Sequence, residues 1–160
     1  MIELKIDREF EELIPPLTEE EYKGLENNIL ENGFNPAFPI ITWNGLIIDG
    51  HNRYSVCKRH GIEFKTIEQD FASRSAVLMW IMDNQLARRN INLITRKYLT
   101  GRRYKEEKKA VGENQFTDNS LKRGGSNFLP SMRTAERIGA QVGMSDRGVK
   151  DAEKFAEAVD

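Results

Sequence analysis

The spacing of apolar residues changes along the first half of the chain from a helical period to a strand-like one. One apolar face with helical spacing begins after Thr18 and ends at Gly33, and Glu21 stands where a capping box needs an acidic residue. These signals predict an amphipathic helix that ends at a glycine. Its apolar positions are Tyr22, Leu25, Ile29 and Leu30.

Short apolar runs around this helix predict a small sheet. Residues 2–6 alternate between apolar and polar and are expected to form an edge strand. Residues 40–43 and 46–48 predict a pair of strands, because the Asn-Gly dipeptide at 44–45 favours a two-residue hairpin turn. Residues 64–67 are a further strand candidate.

Beyond residue 48 the spacing of apolar residues is largely helical. Residues 112–131 interrupt it, because they are rich in glycine, asparagine and serine and lack periodicity, which is typical of a linker or mobile loop. The prediction is an α+β fold, with a small mixed sheet and helices followed by an all-helical part. Helices are expected between Gly50 and Gly61, at about 75–87, from 94 or 95 to about 110, at 132–142 and at 145–158. The expected parts are an N-terminal domain (1–92), a connecting helix (93–111), the linker (112–131) and a helical pair (132–160).

The composition is that of an ordinary globular protein. Hydrophobic residues make up 39% and charged residues 31% of the chain, and the net charge of −1 does not by itself indicate a polyanionic partner. One cysteine excludes an intramolecular disulfide, and with only two histidines a Cys/His zinc site is excluded as well. The sequence shows neither a signal peptide nor an apolar run that spans a bilayer, so a cytoplasmic protein without a membrane partner is expected. The helical pattern of the last residues predicts that the chain continues beyond Asp160.

The most informative stretch is the turn after the second hairpin strand, which reads Asp49, Gly50, His51, Asn52, Arg53. A strand, a glycine turn and a helix N-terminus point backbone amides at an anion, and the helix dipole adds partial positive charge. Gly50 has no Cβ to block a close ligand, and Arg53 offers a fork for phosphate. His51 and Asn52 supply donors, and Asp49 can hold Mg²⁺ through water. The alternative is structural: Asp49 caps the helix, Gly50 only turns the chain, and Arg53 is a solvated surface residue.

The region 14–99 resembles the N-terminal domain of the ParB/sulfiredoxin superfamily. The features follow the family's order: a helix ending in Asn-Gly-Phe at 32–34, the strand at 39–41, the turn at 49–53 and the run Asp-Asn-Gln-Leu-Ala-Arg-Arg at 83–89. In ParB partition proteins the last two boxes contact a nucleoside triphosphate and its metal. The resemblance therefore implies a nucleotide site, with ATP or CTP and Mg²⁺ as candidate cofactors. By similarity, Gly50, Asn52 and Arg53 fall on the first phosphate-binding box, and Asn84, with Arg88 or Arg89, falls on the second.

Departures from the family pattern narrow this expectation. The turn keeps one arginine where ParB has two adjacent ones, which argues against a CTP-driven clamp. Its Asp-Gly-His-x-Arg form is similar to the ParB-like free-serine kinases, and this likeness makes Asp49 the candidate catalytic residue. His51 stands where sulfiredoxins have their cysteine, and Cys57 fits the apolar side of the helix, so sulfiredoxin chemistry is not expected.

A second signal is the crowding of cations beyond residue 87. Only Glu106 and Glu107 oppose them locally, which predicts a sequence-independent contact with a phosphate backbone through residues such as Arg102 and Arg103. The alternative is a solvated helix face on which these glutamates pair with the arginines at helical spacing. The cations are Arg88, Arg89, Arg96, Lys97, Arg102, Arg103, Lys105, Lys108 and Lys109.

The segment 134–150 resembles a helix-turn-helix. Ala135 and Gly139 are small enough for a helix crossing, Gly143 fits the turn, and Ser145 fits the N-cap of the second helix. The second helix is then expected to enter the major groove. The alternative is a plain helical hairpin that mediates protein contacts. The candidate DNA contacts are Thr134, Ser145, Asp146, Arg147, Lys150 and Lys154.

These signals predict a ParB-like DNA-binding protein of a plasmid, phage or integrated element, with a phosphate or nucleotide site in its N-terminal domain. DNA, a nucleotide and a second copy of the chain are the expected partners. One alternative is an enzyme, either a nucleotide-dependent phosphotransferase that uses Asp49 or a nuclease. The nuclease is the weaker version, because Asp49 has no neighbouring carboxylate for a second metal. The other alternative is a pure interaction module.

Overall fold

The computed structural model describes residues 3–88, 91–117 and 133–160, and it describes side chains in the same ranges apart from 111–117. The chain divides into two compact units, Met1–Val77 and Leu78–Asp160. No helix among the described residues is long and apolar enough to cross a membrane.

The boundary between the units falls within the helix α4. The first unit contains α1 (Arg8–Glu12), α2 (Glu19–Asn32), β1 (Ile40–Trp43), β2 (Leu46–Asp49), α3 (His51–His60) and β3 (Thr66–Glu68). The helix α4 (Arg74–Leu86) begins in this unit and ends in the next. The second unit continues with α5 (Leu93–Thr117), α6 (Thr134–Val142) and α7 (Asp146–Val159).

The three strands form a mixed sheet in the order β2-β1-β3, which confirms the predicted α+β class. β1 pairs antiparallel with β2 through the predicted hairpin, and both turn residues, Asn44 and Gly45, have positive φ angles. β3 pairs parallel with β1 and begins at Thr66, two residues later than predicted. The expected strand at 2–6 is wrong in extent, because its described part contributes one isolated bridge, from Lys5 to Leu46.

The sequence patterns did not predict α1, because a five-residue helix has too few positions to show a period. Its start is nevertheless fixed by chemistry, since the Asp7 carboxylate accepts hydrogen bonds from the Glu9 and Phe10 amides. The Arg74 guanidinium donates to the carboxylates of Asp7 and Glu9 and lies over the Phe10 ring, so the start of α4 packs on α1.

The core of the first unit lies between α2, α3 and the sheet. The predicted capping box is present, because the Thr18 amide donates to Glu21 and the Glu21 amide donates to Thr18 Oγ. Ile29 of α2 packs against Val56 and Cys57 of α3. Cys57 is fully buried, and burial raises the pKa of its thiol, which confirms its interpretation as a core residue.

The helices of the second unit pack closely at two glycines. A Cβ at Gly101 of α5 would collide with the backbone of Ala152 in α7, and a Cβ at Gly139 of α6 would collide with the Met144 carbonyl oxygen. α5 continues past Gly112 to Thr117. Residues 112–117 of the predicted linker are therefore helical. The rest of that linker, 118–131, lies outside the described residues.

Candidate phosphate and DNA sites

Gly50 is the N-cap of α3 and lies in the left-handed region, with φ of 95° and ψ of 20°. A Cβ at this position would stand 3.3 Å from the Ile40 Cα, so both the conformation and the close backbone favour glycine. The first intrahelical bond runs from the Tyr54 amide to the Gly50 carbonyl, and the N-cap Gly50 has no side chain that could cap the helix. The amides that precede Tyr54 in α3 therefore lack helical partners. The N-cap of α3 is therefore Gly50, one residue after Asp49.

Arg53 folds back over this turn instead of extending into solvent. Its Nη2 donates to Asp49 Oδ2 and to the Pro39 carbonyl, each at 3.1 Å. The side chains of Arg53 and Asp49 are 26% and 15% exposed, so water screens their ion pair only partly. The interpretation of Arg53 as a solvated surface residue is therefore wrong.

His51 is the first residue of α3 and is almost completely buried. Neither ring nitrogen meets the geometry of a hydrogen bond with another described residue, although the Ile47 backbone lies close to the ring. Burial lowers the pKa of His51, although the nearby carboxylates of Glu11 and Asp49 and the Ile47 backbone oppose this shift. The imidazole is therefore neutral at pH 7 and can donate one hydrogen bond and accept another.

Several groups at this turn fit a phosphate. The α3 amides and dipole favour an anion, and Arg53 adds a full positive charge. The Arg53 Nε is buried without an acceptor among the described residues, as are the nitrogens of His51. Buried polar groups normally have a partner, and phosphate oxygens would satisfy these donors.

The second phosphate-binding box lies on another part of the chain. Asn84 is exposed on α4 and Arg88 follows the end of that helix, and both belong to the second unit. Arg89 lies outside the described residues. In the described ranges no group of three or more His, Cys, Asp or Glu side chains converges.

The cations of α5 are paired with acids that are distant in sequence. Arg102 binds Asp160 and Lys108 binds Glu153, each at 2.8 Å, and Lys105 lies 3.7 Å from Glu157. The hydrogen bond from Lys108 to Glu153 raises the pKa of this lysine. These cations are therefore paired within the protein, and a DNA contact through α5 stays a prediction. The local sequence pattern could not show these pairs, because the acids on α7 and at its C-cap Asp160 follow 45 to 58 residues later.

Arg103 is also unavailable for an outside contact. Its side chain is 8% exposed and pairs with Asp83 at the end of α4 and with Glu107 one turn further along α5. Glu107 in addition accepts from Arg137 of α6. Arg103 thus links α4 to α5, and Glu107 extends this network to α6. The pair with Glu107 is the contact at helical spacing that the alternative predicted, whereas the pair with Asp83 had no local signal.

The helical pair α6 and α7 has the predicted turn and cap. Gly143 ends α6 in the left-handed region, with φ of 73°. Ser145 is the N-cap of α7, and its Oγ accepts from the Gly148 amide at 3.1 Å. A Cβ at Gly148 would stand 3.3 Å from this oxygen, which explains why glycine suits the third helical position.

The predicted DNA contacts on this pair differ in what they offer. Arg147 and Lys154 are exposed on α7, and neither forms an ion pair with another described residue. Lys150 is exposed too, but it pairs with Asp146 at 2.8 Å. Thr134 is the partly exposed first residue of α6, and Arg133 before it is exposed.

The fold is similar to solved structures of ParB N-domains. Two structures of the pNOB8-like ParB N-domain superimpose with TM-scores of 0.66 and 0.61, at 22% and 20% sequence identity. The chain has the ParB N-domain fold. The matches cover 93% and 96% of this chain but 64% and 60% of those chains. The likeness to the ParB N-domain therefore includes residues of both compact units.

The comparison with curated proteins identifies a viral relative. The chain is 34% identical over 148 residues to the uncharacterized protein ORF326b of Acidianus two-tailed virus. This match covers 88% of the chain and 43% of the viral protein, so the chain spans less than half the length of its relative. No protein-family model matches the chain.

Proposed function

We propose that this chain is a ParB-like DNA-binding protein of a mobile genetic element. Its ParB N-domain fold and its similarity to a viral protein support this proposal. The observation that carries it is the division of charge on α7. Acids on one side of α7 pair with α5, whereas Arg147 and Lys154 are exposed and have no ionic partner in the described part of the chain. Cations on the second helix of such a pair suit the major groove and its phosphates.

The test is fluorescence anisotropy with a labelled duplex of mixed sequence and with duplexes selected from a random pool. We expect Arg147→Ala and Lys154→Ala each to weaken binding by about fivefold or more, because each removes a contact to a base or phosphate. The matched control is Lys105→Gln with Lys108→Gln, which removes two cations that are already paired with α7.

The control should change DNA affinity by less than about twofold if α5 lies outside the interface. Equal losses in the control and in the α7 variants would mean that the contact is general electrostatic attraction. Twofold DNA readers commonly dimerise, so the proposal includes a homodimer, which sedimentation with and without DNA would detect.

The second part of the proposal is a phosphate site for a nucleotide at the start of α3. The uncapped helix, Arg53 and the unpartnered nitrogens of His51 support it. When bound, Mg²⁺ with ATP or CTP would place its phosphates against the α3 amides, and Asp49 would reach the metal through water. Calorimetric titration with each nucleotide and Mg²⁺ tests this site, and Arg53→Gln should abolish the binding.

The phosphotransferase is the competing function, and the position of Asp49 beside the uncapped α3 favours it. In this version the Asp49 carboxylate accepts the proton of a substrate hydroxyl while the α3 amides and Arg53 orient the phosphates. Release of ADP from ATP in the presence of free serine, abolished in Asp49→Asn, would establish it. Nucleotide binding without transfer to serine or related hydroxyl compounds would leave a binding site only.

A further inference from the structure

Arg53 occupies the space that Gly50 opens. A Cβ on Gly50 would stand 3.0 Å from the Arg53 Nη2, so the guanidinium lies directly over the glycine turn. This is the surface at which a ligand would approach the backbone closely. The same Nη2 is held from two sides, by the Asp49 carboxylate and the Pro39 carbonyl. The guanidinium that would bind a phosphate is therefore already paired with a carboxylate of the protein, that of Asp49.

Asp49 also lies where an incoming anion would be stabilised. It immediately precedes the N-cap of α3, so its carboxylate is the negative charge next to the positive end of the helix dipole. A phosphate at this place would be repelled by the Asp49 carboxylate. It would also compete with Asp49 for the hydrogen bond that Arg53 donates. Both the repulsion and the competition lower the affinity for phosphate. They are stronger than they would be in water, because the side chains of Arg53 and Asp49 are largely buried.

Two neighbouring buried polar groups support ligand binding at this turn. The Arg53 Nε is buried and has no acceptor within the described residues, so the pair with Asp49 satisfies the guanidinium only in part. The neighbouring His51 ring is buried beside the same carboxylate. Neither of its nitrogens meets the geometry of a hydrogen bond in the described part of the chain, although the Ile47 backbone lies close to the ring.

We propose that Asp49 is an internal competitor for phosphate, which holds Arg53 over the glycine turn and sets the anion affinity of the site. The inference rests on the proposed phosphate site at α3. Binding then exchanges one partner of Arg53 for another: the guanidinium leaves the Asp49 carboxylate and donates to phosphate oxygens. Asp49 thereby limits occupancy by weak anions such as inorganic phosphate, and it is freed toward the metal when a nucleotide with Mg²⁺ binds.

The experiment is calorimetric titration of the full chain with inorganic pyrophosphate and with ATP, each with and without Mg²⁺. Without Mg²⁺, Asp49→Asn should bind both anions about fivefold tighter or more than the wild type. Arg53→Gln and the double variant should bind neither anion. Asp70→Asn is the matched control, because it removes one exposed carboxylate from the same unit and raises the net charge equally. Its affinity should stay close to that of the wild type.

Three results would overturn the competition. If Asp49→Asn binds the metal-free anions no better than the wild type, Asp49 is no competitor, while the phosphate site itself stands. If Asp70→Asn gains as much as Asp49→Asn, the gain is an effect of net charge. If neither the wild type nor Asp49→Asn binds either anion, with or without Mg²⁺, the phosphate site and the competition both fail.

A second measurement covers the case in which Asp49→Asn does not fold. The side-chain Nε–Hε resonance of Arg53 in the wild type should shift on titration with pyrophosphate, because the exchange of partners changes the hydrogen bonding of the guanidinium. An unchanged Arg53 resonance at saturation would show that the pair with Asp49 survives binding, and this would overturn the proposal.

Discussion

At the scale of single residues, the candidate phosphate site combines groups that are costly to bury. His51 and the Arg53 Nε have no hydrogen-bond partner among the described residues, although folding removes them from water. A chain selected only for stability would replace such groups by apolar ones. Their presence beside an uncapped helix therefore agrees with a binding role.

The buried His51 predicts a loss of stability in mild acid. Its folded-state pKa lies below the ordinary value of 6.5, so the unfolded chain binds more protons once the pH falls through that value. Stability is therefore full above about pH 7 and falls at lower pH, by up to about 1.4 kcal/mol per pH unit for one proton. Denaturant unfolding between pH 7.5 and 5.5 should show this loss in the wild type and a smaller loss in His51→Gln.

The control for this prediction is His60→Gln, which changes the other histidine. The His60 side chain is 31% exposed and pairs with Glu26 on the surface. This variant should keep the wild-type loss between pH 7.5 and 5.5. The prediction fails if His51→Gln keeps the full loss as well.

At the scale of elements, local signals predicted what local chemistry determines. The capping box at Thr18, the hairpin at Asn44 and the Ser145 cap involve residues at most three apart, and all are present. The ion pairs of the α5 cations could not be predicted, because their acidic partners on and just after α7 are distant in sequence. Likewise, the turn at Gly50 could be predicted, but the position of Arg53 depends on the Pro39 carbonyl, which no local pattern reveals.

Two helical glycines should respond in opposite ways to alanine. Gly101→Ala should lower the free energy of unfolding by about 1–3 kcal/mol, because the new Cβ would force apart the backbones of α5 and α7. Gly24→Ala should raise it by about 0.5–1 kcal/mol, because no atom lies within 4 Å of the added Cβ and alanine favours the helix. Urea denaturation of both variants measures the two shifts, and destabilisation by Gly24→Ala would contradict this explanation.

At the scale of the whole molecule, the net charge of −1 does not show that the cations in the described part of the chain fall into two groups, those paired with acids and those exposed without an ionic partner. Many arginines and lysines in the second unit hold helices together through ion pairs. Only a few, among them Arg133, Arg147 and Lys154, are exposed without an ionic partner among the described residues. Charge counting along the sequence therefore overestimates the surface that is available to a polyanion.

This distribution predicts a shallow salt dependence of DNA binding. If the three unpaired cations of α6 and α7 make the phosphate contacts, log K should fall with log salt with a slope of about −3 per chain. A slope near about −8 would be expected if the cations of α5 also made contacts. Anisotropy titrations from low to moderate salt measure the slope, and a value near the steeper one would mean that α5 lies in the interface.

The separate faces of α7 have a consequence for how this protein can change over time. A mutation at Glu153 or Glu157 breaks a bond to α5, so it survives best when Lys108 or Lys105 changes with it. Arg147 and Lys154 form no ion pair with another described residue, so a substitution there needs no compensating change. Under the proposed function, substitutions at these two positions can therefore change the DNA sequence that the protein recognises, while the packing of its helices is inherited unchanged.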